Sequence, residues 1–439
     1  MIAPRTQLLI CVGLLLPLAG LVAVAPSATN VCLVVLTLAG AMVLIDAIAC
    51  TKVLNGIEVR VPDLVRLTKN KDGVISLHIT NEGQTEMRIR VGLPFPREIA
   101  TEQQEMDVAL PAGTKLSLVQ WPCTPQRRGR YFISRCYFET RSPLGFWNAR
   151  SGTATTSELR VYPNLLEERK KLAAVFLHRG NIGVHAQRMV GQGRDFEKLR
   201  EYIRGDGMDQ IHWKATAKRG KPVTKVFQIE RTQEVYVCID FSRLTAQEFN
   251  GQSVLERFLT AALVLGLVAQ QQGDLFGLLT FSDRVHRFLR ARGGKTHYAA
   301  CRDAIYTLQP NIVTPDFNDL CSFIRLRLRR RALLVMLTDL SDPVLAESFV
   351  QDTQLISRQH LVLVNMIKPA AAHPMFAPPA VTKADDLYHR LSGHLFWENL
   401  AQLQNSLRNY GVTLSQLENE RLTAEVVTQY LNIKQRQIL

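Results

Sequence analysis

At 439 residues, 46% of them apolar, the chain is longer than one ordinary core holds; this excludes a single small domain and predicts two or three, each with a sizeable core. Its formal charge of +14 fits a folded protein with an acidic neighbour, whether nucleic acid, anionic lipid or an acidic protein surface. Charge alone does not choose among these, and no fixed-period repeat or low-complexity tract narrows the choice.

Residues 7–25 and 30–50 are almost wholly Leu, Val, Ala, Ile and Gly, each run long enough to cross a hydrocarbon core as a helix, with only the polar turn PSATN between them. A cleaved signal peptide is the competing reading of Arg5 before an apolar run, but a second apolar run follows at once. Arg5 precedes the first run, Lys52, Arg60 and Arg66 follow the second, and the turn carries no charge. The positive-inside rule then predicts a transmembrane helical hairpin, residues 1–52, with both termini and all soluble parts on the cytoplasmic side of a bacterial-type inner membrane. Asp46 is the one carboxylate in these runs; it reads as wetted near the inner interface, the alternative being a partner inside a helix bundle.

From 53 to 165, short alternating runs such as IEVRV, VISLHIT, MRIRVGL and RYFISRCYFET are punctuated by Asn-Glu-Gly, Pro-Ala-Gly and Arg-Arg-Gly, which predicts a β-sandwich domain. Residues 166–233 form a basic connector that opens with a helical pattern at 165–177 and closes on the alternating KPVTKVFQIER. From 234 to 439, the apolar strands EVYVCIDFS, LFGLLTFSD, ALLVMLTDLSD and HLVLVNMIK alternate with helical patterns, predicting a doubly wound α/β domain with a mostly parallel sheet. The run FLTAALVLGLVA inside it is too short to span a membrane and reads as a core helix, while the Pro- and Ala-rich 369–382 reads as a loop. The eight cysteines lack the paired spacing of a zinc site and read as reduced, mostly buried thiols.

In open α/β sheets ligands gather at the carboxyl ends of the strands. There the sequence places Asp240 and Ser242, then Ser282 and Asp283, then Thr338, Asp339, Ser341 and Asp342, carboxylates and hydroxyls suited to a hard cation such as magnesium. VYVCIDFSR, FGLLTFSDRV, GGKTHYAACRDAI and LLVMLTDLSD resemble, in order and spacing, a von Willebrand factor A domain. That resemblance implies a metal-ion-dependent adhesion site at Asp240, Ser242, Leu244, Thr296 and Asp339. Leu244 breaks the pattern because it supplies no oxygen; Thr245 or a water would have to replace it. Two readings stay open: a degenerate site without metal, and a weak Mg2+ site at Asp240, Ser242, Thr296 and Asp339.

The stretch GQGRDFEKLREYIRGDGMDQIHWKATAKRGKPVTKVFQIE resembles the signature of the domain of unknown function 58 family: Glu/Asp-Phe, Arg-x-Tyr, Gly-Asp, Ile-x-Trp and a basic-Gly turn. The matching residues are Asp195, Phe196, Leu199, Arg200, Tyr202, Gly205, Asp206, Ile211, Trp213, Ala217, Lys218 and Lys225. RRGRYFISRCYFETRSPLGFW and the closing YLNIKQRQIL resemble further family elements. The family resemblance implies partnership with MoxR-type AAA+ ATPases in assembly or maturation of envelope or metalloprotein complexes.

Physically, the signature reads first as a structural buckle between the β and α/β domains. FEKLREYIR would place Arg200 and Arg204 one helical turn apart, Asp209 would cap a helix starting near Gln210, and a buried Trp213 would pin the segment. The functional alternatives are a grip on an acidic partner through Lys214, Lys218, Arg219 and Lys221, an anion site at the helix start, or His212 as a general base. No Gly-x-x-x-x-Gly-Lys-Ser/Thr loop, Gly-x-Ser-x-Gly elbow, His-Glu-x-x-His or strand-fed Gly-x-Gly-x-x-Gly is present. The expectation is therefore a membrane-anchored, non-enzymatic adaptor that binds a protein partner. The alternatives are a magnesium-dependent phosphoester hydrolase or nuclease using Asp240 and Asp339, and binding of anionic lipid or nucleic acid through the basic segment.

Overall fold

A computed structural model of the chain describes residues 1–24, 29–82, 86–112, 116–166, 168, 170, 173, 190–191, 195–203, 207–208, 211–228, 233–249, 251–375 and 384–436. It divides into two units, Met1–Asn164 and Leu165–Leu439.

In the first unit, strand β1 (Ile2–Pro4) precedes helices α1 (Thr6–Val24) and α2 (Thr29–Val53). Thr29 and Asn30 of the expected turn open α2, and the rest of that turn, residues 26–28, lies outside the described residues. Leu38, Leu44 and Ile48 of α2 point outward, and α2 is long and apolar enough to cross a membrane; α1 carries a shorter apolar stretch, Thr6–Pro17.

Nine strands follow: β2 (Ile57–Arg60), β3 (Leu64–Thr68), β4 (Gly73–Asn81), β5 (Met87–Gly92), β6 (Ile99–Ala100), β7 (Glu105–Leu110), β8 (Ser117–Pro125), β9 (Gly129–Arg141) and β10 (Trp147–Tyr162). One sheet runs β1-β10-β9-β5-β7, with β3 parallel to β10; the other runs β2-β4-β8-β6. The period-two pattern read from the sequence is what closes this core. Ile75, Leu77 and Ile79 of β4 and Trp121 and Cys123 of β8 face Ile89 and Val91 of β5, Phe138 of β9 and Leu159 and Val161 of β10 in one apolar cluster.

Asp46 corrects its sequence reading. It is buried rather than wetted, and its partners come from the turn between β9 and β10, not from another helix. The Ser142 hydroxyl donates to Oδ2 at 2.6 Å, the Phe146 amide to Oδ2 at 3.1 Å and the Leu144 amide to Oδ1 at 3.0 Å. Trp147 Nε1 adds a bond to the Val43 carbonyl at 3.1 Å. A carboxylate removed from water needs such donors, so this clasp fastens α2 to the tip of the β9–β10 hairpin.

The second unit opens with described helical residues Leu166, Glu168, Lys170 and Ala173. A small antiparallel sheet, β11-β13-β12, then forms from β11 (Val190–Gly191), β12 (Asp195–Glu201) and β13 (Val223–Gln228), with helix α3 (Trp213–Arg219) between β12 and β13. The expected helix over FEKLREYIR is thus replaced by β12. Leu199, Arg200 and Glu201 pair with Lys225, Thr224 and Val223, so tertiary pairing overrides the local i, i+4 charge pattern.

The main sheet follows from β14 (Glu234–Asp240), the minor hairpin β15 (Glu248–Phe249) and β16 (Gln252–Ser253), α4 (Val254–Gln271), β17 (Leu275–Phe281), β18 (Val285–Arg292), α5 (Lys295–Ile305), α6 (Phe317–Arg327), β19 (Leu333–Leu337), α7 (Pro343–Ser357), β20 (Leu361–Ile367), α8 (Ala384–Asn409), β21 (Thr413–Leu417) and α9 (Leu422–Arg436). Its order is β18-β17-β14-β19-β20-β21, and only β18 runs antiparallel to its neighbour. Apolar side chains from α4, α5 and α9 cover one face and those from α6, α7 and α8 the other, which is why the central strands read as unbroken Val, Ile and Leu. Helix α4 contains FLTAALVLGLVA; it too is long and apolar enough for a membrane, but it is buried as a core helix.

Asp274, in the turn before β17, secures α9. It accepts from the Tyr430 hydroxyl, from Lys434 Nζ at 2.8 Å and from the Gln233 amide at 3.1 Å. Burial and the adjacent carboxylate push the Tyr430 phenol pKa upward, so the tyrosine stays a donor.

All eight cysteines are free and all but Cys11 are buried. Burial pushes the Cys123 thiol up to about 11 and those of Cys136, Cys238 and Cys301 up to about 12, which suppresses the nucleophilic thiolate.

Candidate functional site

The carboxyl ends of β14, β17 and β19 bring together most of the polar residues singled out in the sequence. Asp240 ends β14 with no exposed surface; its Oδ1 accepts from the Ser242 amide at 2.8 Å and its Oδ2 from the Thr338 hydroxyl at 2.7 Å. Burial pushes its carboxyl up to about 6, against the opposing pull of these donors. Asp339, just beyond β19, accepts from both the amide and the hydroxyl of Ser341, and burial raises its carboxyl too.

Thr296 is not brought here. Strand β18 runs back along β17, pairing Val285 with Phe281 but Arg292 with Phe276. Helix α5 therefore starts at the opposite edge, where His297 Nε2 meets the Phe276 carbonyl at 2.8 Å. Five residues of strand separate the two edges, about 17 Å at the usual rise. Residues 311–316, on the return from α5, meet this end of the sheet instead. The Asn311 amide donates to the Phe241 carbonyl at 2.7 Å, the Arg243 amide to Val313 at 3.0 Å and the Asp316 amide to Ser282 at 2.9 Å. This return carries Thr314, whose hydroxyl accepts from Arg243 Nε at 3.4 Å. Sequence reasoning passed over Thr314. The available signal was VTPD, a hydroxyl residue and a proline just ahead of Asp316, the N-cap of α6.

The donors expected for a hard cation are brought together only in part: Asp240, Ser242 and Asp339 share this end of the sheet, Thr296 does not, Leu244 offers no oxygen, and Thr245, the candidate replacement, is buried with its hydroxyl donating to the Ser242 carbonyl at 2.9 Å. Among the described residues no group of three or more His, Cys, Asp or Glu is placed to hold a metal.

Beside this cluster, Ser282, Asp283 and His286 meet in an arrangement the sequence did not announce. Ser282 Oγ lies 2.9 Å from His286 Nε2, but that same nitrogen faces Asp283 Oδ1 at 3.1 Å, and the Ser282 hydroxyl itself donates to Asp283 at 2.7 Å. A nucleophilic relay needs the carboxylate on one ring nitrogen and the hydroxyl on the other. Here both crowd one nitrogen, and Ser282 is fully buried, so the trio ties β17 to β18.

Of the family-signature residues, Asp195, Phe196 and Arg200 lie on β12, with Arg200 Nη1 donating to the Glu201 carbonyl at 3.4 Å. The Tyr202 amide donates to Pro222 at 3.0 Å. Gly205 and Asp206 lie outside the described residues, as do Arg204, Asp209 and Gln210. His212 caps α3, its Nδ1 accepting from the Ala215 amide at 3.0 Å. Trp213 is not the expected buried pin, being 68% exposed, because it opens a helix with no buried residue. Lys214 and Lys218 project from the same short helix into solvent.

The family described as "Protein of unknown function DUF58" matches residues 198–375, a span that begins in β12 and includes the whole carboxyl-edge cluster. No curated protein matches the chain. Among solved structures, the chain is similar to the conserved hypothetical protein BatB from Bacteroides thetaiotaomicron, at 12% identity and a TM-score of 0.31 over 46% of this chain and 99% of that one. It is also similar to proximal thread matrix protein 1 from the mussel byssus, at 15% identity and a TM-score of 0.26 over 45% and 46%. A third likeness is to the complex of zinc 2-glycoprotein and prolactin inducible protein from human seminal plasma, at 16% identity and a TM-score of 0.18 over 24% and 92%. Likenesses this remote carry no argument here; the DUF58 match over residues 198–375 is the one that bears on this chain.

Proposed function

We propose that the protein is a membrane-anchored, non-enzymatic adaptor whose carboxyl-edge loops dock a protein partner. The observation that carries this reading is the composition of that edge. Arg243, 3.9 Å from Asp342, and Thr314 stand beside Ile312 and Val344, which are 87% and 77% exposed. Large apolar side chains among charged and hydroxyl groups suit a partner surface better than a small-molecule pocket. The mostly parallel sheet supports a von Willebrand factor A-like reading in which the metal position has degenerated and recognition proceeds through polar contacts and shape. The outward apolar faces of α1 and α2 support a two-span anchor in an inner membrane, with the soluble parts cytoplasmic. The partner we propose is a MoxR-type AAA+ ATPase, which would supply the nucleotide chemistry for assembling envelope or metalloprotein complexes.

The test is recovery of the intact protein from solubilised membranes, with co-purifying ATPases identified by mass spectrometry. Ile312→Asp and Arg243→Glu should each lower ATPase recovery at least ten-fold, and a chelator should leave wild-type recovery unchanged. Undiminished recovery with both variants would remove this edge from the interface; loss of recovery on chelation would restore the metal.

A further inference from the structure

A cavity of ≈ 870 Å³ opens in the first unit where α1 begins and α2 ends, against residues of β5, β7 and β9. Arg5, Lys52, Arg88, Arg90 and Arg141 line it, against Glu86, Asp107 and Glu139. The acids are unequally available. Asp107 is held by Arg90 at 2.8 Å, Glu139 by Arg150 at 2.8 Å, and Arg90 also lies 3.6 Å from Glu105 and 3.8 Å from Glu139, so Arg90 is the most fully paired cation, while Arg88 and Arg141 act on Asp107 only through the weaker pull of nearby charge. The Arg90 guanidinium holds the Asp107 carboxyl below its ordinary range, so that pairing persists at neutral pH. Arg5 keeps its Nη1 on the Gln7 side chain at 3.4 Å, while Lys52, Arg88 and Arg141 are exposed. The cavity thus presents a positive rim of exposed cations.

Position decides what such a rim meets. Lys52 lies in the last turn of α2 and Arg5 immediately precedes α1, so both sit where the apolar helices would leave the hydrocarbon. The third wall, Arg141 and Pro143, belongs to the hairpin tip that Asp46 clasps against α2, which fixes the cavity against the helix ends. Basic pockets at the cytoplasmic ends of membrane helices have the charge and depth to take phosphate-bearing lipid headgroups. We propose that this cavity binds the headgroup of an anionic phospholipid, with Lys52, Arg88 and Arg141 facing the phosphate. The proposal rests on reading α1 and α2 as membrane spans. It places lipid recognition in the first unit, not in the basic connector.

The experiment uses the full chain. Alkaline carbonate extraction of native membranes first tests the spans. Protein released from the membrane overturns that reading, and the lipid site with it. The detergent-solubilised protein is then titrated with short-chain phosphatidylglycerol and phosphatidylcholine, binding being followed by native mass spectrometry. Phosphatidylglycerol should bind in preference to phosphatidylcholine. Neutralising each cation, as in Arg88→Gln and Arg141→Gln, should weaken binding about five-fold at low salt, the worth of one basic residue at a lipid surface. Asp107→Asn, which releases Arg90, should strengthen it, a gain that mere structural damage would not produce. Arg60→Gln, outside the cavity, should change nothing. Equal binding of the two lipids, or an unchanged preference in the Arg88→Gln/Arg141→Gln double variant, overturns the pocket while leaving the spans intact. Displacement of the lipid by glycerol 1-phosphate at equal concentration would assign the site to a soluble phosphate and overturn the lipid proposal.

Discussion

Asp240, singled out in the sequence as a candidate metal ligand, is in the fold a buried acceptor for the Ser242 amide and the Thr338 hydroxyl. With its carboxyl lifted to about 6, the folded state favours the protonated form. The resulting stability is fully present below the ordinary carboxylate range near pH 4 and is lost as pH rises through about 6. At about 1.4 kcal/mol per pKa unit, the change amounts to about 3 kcal/mol. Asn in its place keeps an acceptor for the Ser242 amide and can donate to the Thr338 hydroxyl. Asp240→Asn should therefore flatten the fall in unfolding free energy between pH 4 and 6.5, read from denaturant titrations at a series of pH values. An unchanged slope would mean that the carboxyl is not lifted by burial. Thr296 and Thr314 carry the complementary lesson. The resemblance to a von Willebrand factor A domain pointed to the first, but the reversal of β18 sends it to the far edge and lets the return from α5 deliver the second.

Among the elements, helices are fastened by single buried acids. In Asp46→Ala the Ser142 hydroxyl and the Leu144 and Phe146 amides lose their acceptor, at a cost on the order of 3 kcal/mol. Hydrogen exchange at Leu144 and Phe146 should accelerate by about two orders of magnitude, with the β4 amides as an internal control. Tyr430→Phe removes one donor to Asp274 but leaves Lys434 and the Gln233 amide in place. The expected loss is about 1–2 kcal/mol, seen as a lower melting temperature of the full chain in detergent. Neither clasp was legible beforehand, since each joins residues about a hundred or more positions apart. The strands around them were legible, because period-two and unbroken apolar runs report burial directly. FEKLREYIR marks the limit of such reading: its charges fit a helix, but pairing with β13 decides otherwise.

For the molecule as a whole, hydropathy and periodicity alone determined the apolar helices near the start, the alternating β region and the α/β texture beyond residue 233, since these follow from which side chains must leave water. The DUF58-like stretch was equally visible, being a run of adjacent residues. Only the tertiary structure decided which residues share an edge of the main sheet, that Trp213 faces solvent while Asp46 does not, and that cations from four separate segments, at residues 5, 52, 88–90 and 141, ring one cavity. The reason is physical. Local sequence governs local torsions and burial, whereas the direction of a strand, the partner of a buried charge and the closing of a cavity depend on contacts made across long stretches of chain.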